Sequence, residues 1–329
     1  MILVVYSHVS GSAAANYPPP HAYMSSVNYI LHLIRMPLFF FISGYFVYNA
    51  NYTLRLFAQR AKNRLVRQLY PTILLWGLYC TLFVGINFLQ LLQDPYKQGY
   101  WFTFASVEMF FLITPIILLL SVKKASLLIQ NIVLTIYSIM VELTVNYFLH
   151  TGQSWVAVSG VEMINAYFPY FFMGILYKMN EDLLKPILVN KFTAMGALIL
   201  FIAGIKHIIP LPTFSTGALG IIFVNYTICK IFSVEVIART RVATALRHIG
   251  TMTLEIYLLH YFFLHWFVKP LFSHCKWLVL QHDTFFEMPI YLPISIVVVG
   301  LCLATVYVMK QLRIYTFIFP TIKMVKSNR

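Results

Sequence analysis

Long apolar stretches recur along this chain and are separated by short polar breaks. A helix needs roughly 20 predominantly apolar residues to cross the hydrocarbon core of a bilayer. Only 10% of the residues are charged, whereas soluble domains carry roughly 25%, so this chain cannot cover its own surface with polar groups. In lipid, backbone N–H and C=O groups must be paired internally, which leaves helices as the spanning elements here. The sequence therefore predicts an all-α, polytopic transmembrane helical bundle.

About ten spans are predicted, with boundaries defined to within several residues. They lie near residues 1–10, 28–50, 68–92, 101–122, 125–149, 161–178, 190–209, 213–237, 247–268 and 288–309. The first run is too short to cross, and we expect the chain to begin inside a helix whose first half is missing. A cleaved signal peptide is the alternative, but a basic leading segment is lacking. Residues 1–329 are predicted to form a single integral-membrane domain with a cytoplasmic tail, 310–329.

Basic residues alternate between the two sides of these spans. Nineteen of the 24 Lys and Arg residues lie in connections on one side or in the tail, four lie on the other side, and Arg35 lies inside a span. Cytoplasmic connections carry the excess of Lys and Arg. This rule places both termini in the cytoplasm and predicts a multi-pass protein of the inner (plasma) membrane. It also explains the net charge of +14 without nucleic acid, for which no motif is visible.

An ionisable side chain inside a span costs about 2.5–3.5 kcal/mol on insertion scales. Five such residues are predicted to lie at one depth, roughly 10 Å below the outer surface at the helical rise of 1.5 Å per residue. They are His8, Arg35, Glu108, Glu142 and His260. One polar cavity shared by these residues explains their common depth. The alternative is that each residue forms a separate structural pair with another charged residue, such as Arg35 with Glu108.

The residue types in this layer limit the chemistry. No His or Cys residues occur at metal-ligand spacing, and the four cysteines form no C-x-x-C pair, so no metal is predicted. A histidine can take a proton from a hydroxyl near neutral pH, and an arginine can hold an anionic or carbonyl oxygen. A buried histidine can equally serve as a hydrogen-bonding group between helices.

Six segments occur in one order along most of the chain. The first two are ILVVYSH, which ends in His8, and RMPLFFFISGYF, from Arg35 to Phe46. They are followed by RLVRQLYP with Arg64 and Arg67, YWFTF around Trp101, YFPYFFMGILY at 167–177 and GTMTLEIYLLHYFF at 250–263. Together these segments resemble the integral-membrane acyltransferase 3 family, which includes bacterial carbohydrate O-acetylases.

The resemblance implies transfer of an acyl group, expected to be acetyl, from acetyl-CoA or another acyl-CoA to a hydroxyl of a cell-envelope carbohydrate or lipid-linked sugar. His8 matches the family's essential histidine and is expected to be the general base, while Arg35 is expected to steady the oxyanion or the acceptor. Arg64 and Arg67 match paired basic residues that would hold the phosphates of coenzyme A, although basic residues there also set topology and bind anionic lipid. A basic residue that the family has upstream of the histidine would fall before Met1, which indicates either a late annotated start or an inactive protein.

Four further residues are predicted to bind substrate: Trp101, Glu108, Tyr257 and His260. Trp101 lies at a depth where aromatic belts are normal. Tyr257 and His260 share a helix face, on which they either line the acceptor side or pack between helices. Acceptor choice is expected to rest with the external connections, which are predicted at 11–27, 150–160 and 269–287.

Two other functions are compatible with buried charges at one depth. A transporter or lipid-linked sugar flippase typically has paired, interrupted helices in two related halves, and no such internal symmetry is visible in the sequence. A catalytically inactive relative that acts as an assembly partner is the second alternative. The expected partners are membrane lipid and the carbohydrate acceptor, and the sequence predicts no oligomeric state.

Overall fold

The computed structural model describes residues 1–14, 25–85, 88–151, 159–234 and 239–320. Within these ranges the chain consists of helices and connecting turns, with no β-strand, which confirms the predicted all-α class. Two compact units make up the chain. We name them the His8 unit, Met1–Tyr48 with Tyr167–Gly300, and the Arg64 unit, Asn49–Ala166 with Leu301–Arg329.

The helices up to residue 151 are α1 (Ile2–Ala14), α2 (Ser26–Val47), α3 (Leu54–Arg64), α4 (Tyr70–Phe83), α5 (Phe88–Gln93), α6 (Trp101–Val122) and α7 (Leu127–Thr151). A π-helical turn, Leu65–Leu69, joins α3 to α4. The later helices are α8 (Val161–Met179), α9 (Glu181–Leu188), α10 (Lys191–Ile205), α11 (Thr213–Ser233), α12 (Arg241–Thr251), α13 (Thr253–Phe263), α14 (Lys269–His274), α15 (Lys276–Val279), α16 (Glu287–Gln311) and α17 (Tyr315–Ile318). A second π-helical turn, Leu264–Val268, joins α13 to α14.

Polar side chains define where several helices begin. Ser25 caps α2 by accepting the backbone N–H of Asn28, and Thr53 caps α3 in the same way through Leu56. Such caps satisfy backbone donors that have no partner within the helix. In an apolar chain these few polar residues therefore mark helix starts that hydropathy alone leaves open.

Among the residues that the structure describes, five helical segments are long and apolar enough to cross a membrane: α2, α6, α7, α16 and Thr213–Ile231 of α11. Helices α9 and α10 would supply a sixth span if taken together, although they are bent by 70° at their junction. These segments support a multi-pass helical membrane protein. The count of ten spans stays a prediction, because the remaining predicted spans coincide with helices that are shorter, interrupted or less apolar.

Two of the predicted spans contain breaks. The span near 68–92 is interrupted after α4, where Gly85 has a φ of +63°, a backbone conformation that glycine adopts without steric cost. The span near 247–268 is divided between α12, α13 and the second π-helical turn, with a non-helical ψ of 23° at Met252. Hydropathy does not detect these breaks because no charged residue marks either of them and a window of about 20 residues averages over a single kink.

Helices α2 and α8 are in direct backbone contact within the His8 unit. A Cβ atom at Gly44 would overlap the carbonyl oxygen of Phe171, and a Cβ atom at Gly174 would overlap the carbonyl oxygen of Phe41. The contact is thus reciprocal, with a glycine from each helix facing a carbonyl of the other. Small residues allow membrane helices to approach this closely, and here they fix the helix that carries Arg35.

Aromatic rings pack around α6 in the Arg64 unit. Phe57 of α3 stacks on Phe110 of α6 with ring centroids 6.2 Å apart, and Trp76 of α4 meets Phe104 of α6 edge-on at 5.7 Å. Aromatic pairs contribute about 0.5–1.5 kcal/mol beyond the area that they bury. Helix α6 therefore has a fixed place against α3 and α4, the helices on either side of Arg67.

Candidate active site

His8 lies on α1 and faces two aromatic side chains of α13. Its Nε2 atom is 3.1 Å from the hydroxyl oxygen of Tyr261, and its ring centroid is 5.1 Å from that of His260. We name His8, His260 and Tyr261 the histidine cluster. His8 itself is half-buried, whereas His260 is fully buried, so the more accessible of the two histidines is the one predicted to accept a proton.

The hydrogen bonds of His260 define its tautomer. Its Nδ1 atom is 3.1 Å from the carbonyl oxygen of Ile256; a carbonyl only accepts, so Nδ1 carries the proton in the neutral ring. The Nε2 atom is then an acceptor, and it has no hydrogen-bond partner among the described residues. A buried acceptor without a partner costs free energy, and a hydroxyl group placed beside this ring would recover it.

Arg35 connects α2 to α1. Its Nη1 atom donates to the carbonyl oxygen of Leu3 at 3.0 Å, and its Nη2 atom donates to Nδ1 of His32 at 3.4 Å. Because arginine can only donate, His32 must carry its proton on Nε2, which lies 3.4 Å from the hydroxyl oxygen of Tyr167. Arg35 is buried, and its Nε atom has no partner among the described residues. The guanidinium is thus anchored by neutral groups, and within the described residues its Nε–H is left for another acceptor.

Tyr257 and His260 lie next to each other, as their spacing on one helix predicts. Their ring centroids are 6.0 Å apart, and both side chains are buried. The structure therefore brings His8, His260 and Tyr257 together in one unit. Whether Tyr257 binds an acceptor or packs between helices stays open, because burial fits both roles.

Arg64 and Arg67 have different surroundings. The Arg64 guanidinium donates to Ser106 at 2.8 Å and to Gln68 at 3.1 Å, and it lies over the ring of Phe110 at 5.3 Å. Arg67 lies in the π-helical turn after Arg64 and is exposed. Both hydrogen-bond partners of Arg64 are neutral, so its positive charge is not compensated by them.

The remaining predicted substrate residues lie on α6. Glu108 accepts the backbone N–H of Gly160 through Oε1 at 3.2 Å, and its buried Oε2 atom has no partner among the described residues. Trp101 is half-buried at the first turn of α6, with its ring 6.4 Å from that of Phe102. These two residues and Arg64 belong to the Arg64 unit, whereas the histidine cluster belongs to the His8 unit. Their roles, and the common layer with Glu142, stay predictions.

One residue of the cluster escaped prediction. Tyr261 contacts His8 directly, but it is one of 22 tyrosines in a chain rich in aromatic residues. Tyr261 lies four residues after Tyr257, about one helical turn away, and this spacing is the sequence signal that could have placed it on the same helix face as a predicted site residue. Of the predicted acceptor-binding connections, 11–27 and 150–160 fall largely on 15–24 and 152–158, which lie outside the described residues, as do 321–329 of the predicted tail, whereas 269–287 is described.

A model of the acyltransferase 3 family, described as an acyltransferase domain, matches residues 1–309. This match covers nearly all of the 329 residues and includes the histidine cluster, Arg35 and Arg64. No significant match was found to a curated protein or to a solved structure.

Proposed function

This chain belongs to the acyltransferase 3 family, and from that membership and the surroundings of His8 we propose that it is an O-acetyltransferase that moves an acetyl group from acetyl-CoA to a hydroxyl of a cell-envelope carbohydrate or lipid-linked sugar. That the protein is a multi-pass membrane acyltransferase follows from the family and from its apolar helices. The donor, the acceptor and the residue roles are the proposal. The observation that carries it is the half-buried His8, held by Tyr261 beside His260.

His8 is the general base in this proposal. One ring nitrogen takes the proton of the acceptor hydroxyl as the oxygen bonds to the thioester carbonyl carbon. The C–S bond then breaks, and the thiolate of coenzyme A receives the proton from the imidazolium. An acetyl ester and coenzyme A result, so the proton and the acyl group are both accounted for. The 3.1 Å contact of Nε2 with Tyr261 supports this role, because it fixes the ring while the other nitrogen remains available.

Arg35 steadies the negative charge that develops on the carbonyl oxygen, or the acceptor that attacks it. Its support is the free Nε–H on a guanidinium that is otherwise held in place by Leu3 and His32. Donors fixed before the reaction stabilise a developing oxyanion without reorganisation. Leu3 lies on α1 five residues before His8, about 7.5 Å along the helix axis. Because Arg35 binds α1 at Leu3, its position is fixed relative to the helix that carries His8.

Arg64 and Arg67 bind the phosphates of coenzyme A. Arg64 is supported by its uncompensated charge beside Ser106 and Gln68, and Arg67 is supported by its exposure. Coenzyme A carries a pyrophosphate and a separate ribose phosphate, which suits two cations in different surroundings. The binding side is the cytoplasm, because Lys and Arg predominate in the connections predicted there; the same asymmetry supports an inner-membrane protein with cytoplasmic termini.

The test uses membranes from cells that express the chain, incubated with radiolabelled acetyl-CoA and envelope polysaccharide or lipid-linked sugar. We expect label in the carbohydrate fraction, lost in His8→Gln and retained in His150→Gln, which changes an exposed histidine at the end of α7. Transfer by His8→Gln at the parental rate would refute the base role. Label that enters none of these acceptors, with correctly inserted protein, would favour the inactive relative.

A second assay separates donor binding from transfer. Coenzyme A binding to the purified protein is measured for Arg64→Ala/Arg67→Ala and for Lys62→Ala, which removes an exposed charge from the same helix. The double variant is expected to lose binding, and Lys62→Ala is expected to keep it. Equal losses would assign the basic residues to topology or to anionic lipid instead.

A further inference from the structure

A fully buried carboxylate lies at the first residue of α16. Glu287 has no exposed surface, and its Oε1 atom accepts hydrogen bonds from the hydroxyls of Tyr6 at 2.8 Å, Ser10 at 3.0 Å and Ser25 at 2.7 Å. Its Oε2 atom accepts the backbone N–H of Asp283 at 2.9 Å. Four donors thus converge on one carboxylate. Full hydrogen bonding is what makes a buried acidic group tolerable.

The donors of this group come from separate parts of the His8 unit. Tyr6 and Ser10 lie on α1, and Ser25 is the cap of α2. Asp283 belongs to the turn before α16, and its Oδ1 atom accepts the backbone N–H of Ser26 at 2.9 Å. Glu287 therefore joins the helix of His8, the helix of Arg35 and the start of α16 at one point, which we name the Glu287 junction.

The positions of Tyr6 and Ser10 show what this junction does for His8. The two residues are four apart, so they share one face of α1. His8 is two residues from each, about 200° around the helix at 3.6 residues per turn, and it faces Tyr261 on α13. Glu287 and the histidine cluster therefore hold opposite faces of α1, and the Arg35 bond to Leu3 holds it at a further point.

We propose that Glu287 is a positioning residue for the transfer reaction: through Tyr6 and Ser10 it fixes the rotation and the axial position of α1, and so the place of the His8 imidazole. Glu287 does not touch His8 and does not take part in the chemistry. Three hydroxyl donors on one oxygen give the junction a defined geometry that apolar packing would lack. The proposal rests on His8 being the base.

The test compares two pairs of substitutions that are matched in type and burial. Tyr6→Phe/Ser10→Ala removes both α1 donors and leaves Glu287 with Ser25 and Asp283. Tyr291→Phe/Ser295→Ala is the control: both residues lie on α16, both are fully buried like Tyr6 and Ser10, and their hydroxyls bond to the carbonyls of Leu278 and Tyr291. Neither control hydrogen bond involves α1. Tyr291 lies close enough to Tyr6 to interact with it electrostatically, and Tyr291→Phe keeps the ring at that place. Ser10→Ala alone, which removes one of the two α1 donors, is a second variant in case the first pair folds poorly.

Three quantities are measured on each variant: kcat and KM for acetyl-CoA, the rate at which diethyl pyrocarbonate modifies His8, and the melting temperature. In Tyr6→Phe/Ser10→Ala we expect kcat to fall by about 10- to 100-fold, as for a misplacement near 1 Å, with KM changing far less. Ser10→Ala alone should lower kcat in the same direction by a smaller factor. We expect His8 to be modified about fivefold faster, the factor that corresponds to one net hydrogen bond. The control pair should show a similar melting temperature with unchanged kcat and modification rate.

Equal changes in the two pairs would overturn the proposal, because Glu287 would then be a structural contact like any other. The modification rate also separates this proposal from the proposed function. If the wild-type protein transfers no acetyl group, or if His8→Gln retains transfer, the base role fails, and the rate at which His8 is modified alone decides whether Glu287 positions it. Equal rates in all variants would show that it does not.

Discussion

The reciprocal glycine contact between α2 and α8 makes a sharp prediction for Gly174→Ala. The new Cβ atom would lie 2.8 Å from the backbone nitrogen of Tyr45 and 2.9 Å from the carbonyl carbon of Phe41, and closer still to the Phe41 oxygen. Carbon atoms pack optimally at about 3.5–4.0 Å. Because all of these neighbours are backbone atoms, no side chain can move aside, and the two helices must separate by about 0.7 Å or more.

Two opposing terms determine the magnitude. Forcing a methyl group into a packed interface costs about 1–3 kcal/mol, and a gap of 0.5–1 Å forfeits about a quarter to a half of each dispersion contact along the interface. Replacing glycine with alanine inside a helix gains about 0.5–1 kcal/mol. Gly196→Ala on α10 measures the helix-propensity gain alone, since a Cβ atom there meets nothing within 4 Å. The difference between the two variants should therefore be about 1–3 kcal/mol.

The assay is unfolding by SDS in mixed micelles, followed by circular dichroism. We expect Gly174→Ala to lower the SDS fraction at the midpoint and Gly196→Ala to raise it slightly. Acetyl transfer is measured beside it, because the same separation would displace Arg35. Midpoints that shift by the same amount and in the same direction would refute the close backbone contact.

Three further substitutions test the candidate site. Tyr261→Phe removes the hydroxyl beside His8 and should lower kcat by about 2- to 10-fold, the range for one net hydrogen bond; an unchanged kcat would show that this contact is not used. His260→Phe keeps a ring of similar size but removes the free Nε2 acceptor, so kcat/KM for the carbohydrate acceptor should fall by about tenfold with little change in melting temperature, whereas an unchanged value would assign His260 to packing. Ser106→Ala removes a neutral partner of Arg64 and should weaken coenzyme A binding by about 2- to 10-fold in calorimetry; unaltered binding would separate Arg64 from the donor site.

The fold class and several helices follow from the apolar pattern, because an uninterrupted apolar run of about 20 residues has the length and the hydropathy of a spanning helix. The span predicted at 101–122 coincides with Trp101–Val122, and the span predicted at 288–309 lies within Glu287–Gln311. The breaks at Gly85 and Met252 do not follow, since they depend on backbone angles rather than on polarity. The predicted number of spans depends on those breaks and therefore cannot be read from hydropathy alone.

Parts of the site could be predicted and parts could not. His8 and His260 are conspicuous because ionisable residues are rare inside spans, and the structure places their rings together. Glu287 is inconspicuous, because an acid at the first residue of a span resembles any residue at a membrane surface. Its partners Tyr6 and Ser10 lie 281 and 277 positions away in the chain. Only the tertiary structure shows that ordinary hydroxyl residues meet one buried carboxylate.

The Glu287 junction also has a consequence for biosynthesis. Ser25 caps α2 and donates to a carboxylate 262 residues later in the chain. At a synthesis rate of about 5–20 residues per second, roughly 13–52 s pass between the emergence of the two residues from the ribosome. During this interval the hydroxyls of Tyr6, Ser10 and Ser25 lack the carboxylate that they bind in the folded protein. The junction can form only once α16 has been made, so α1 is synthesised long before the contacts that hold its Tyr6 and Ser10 face are complete.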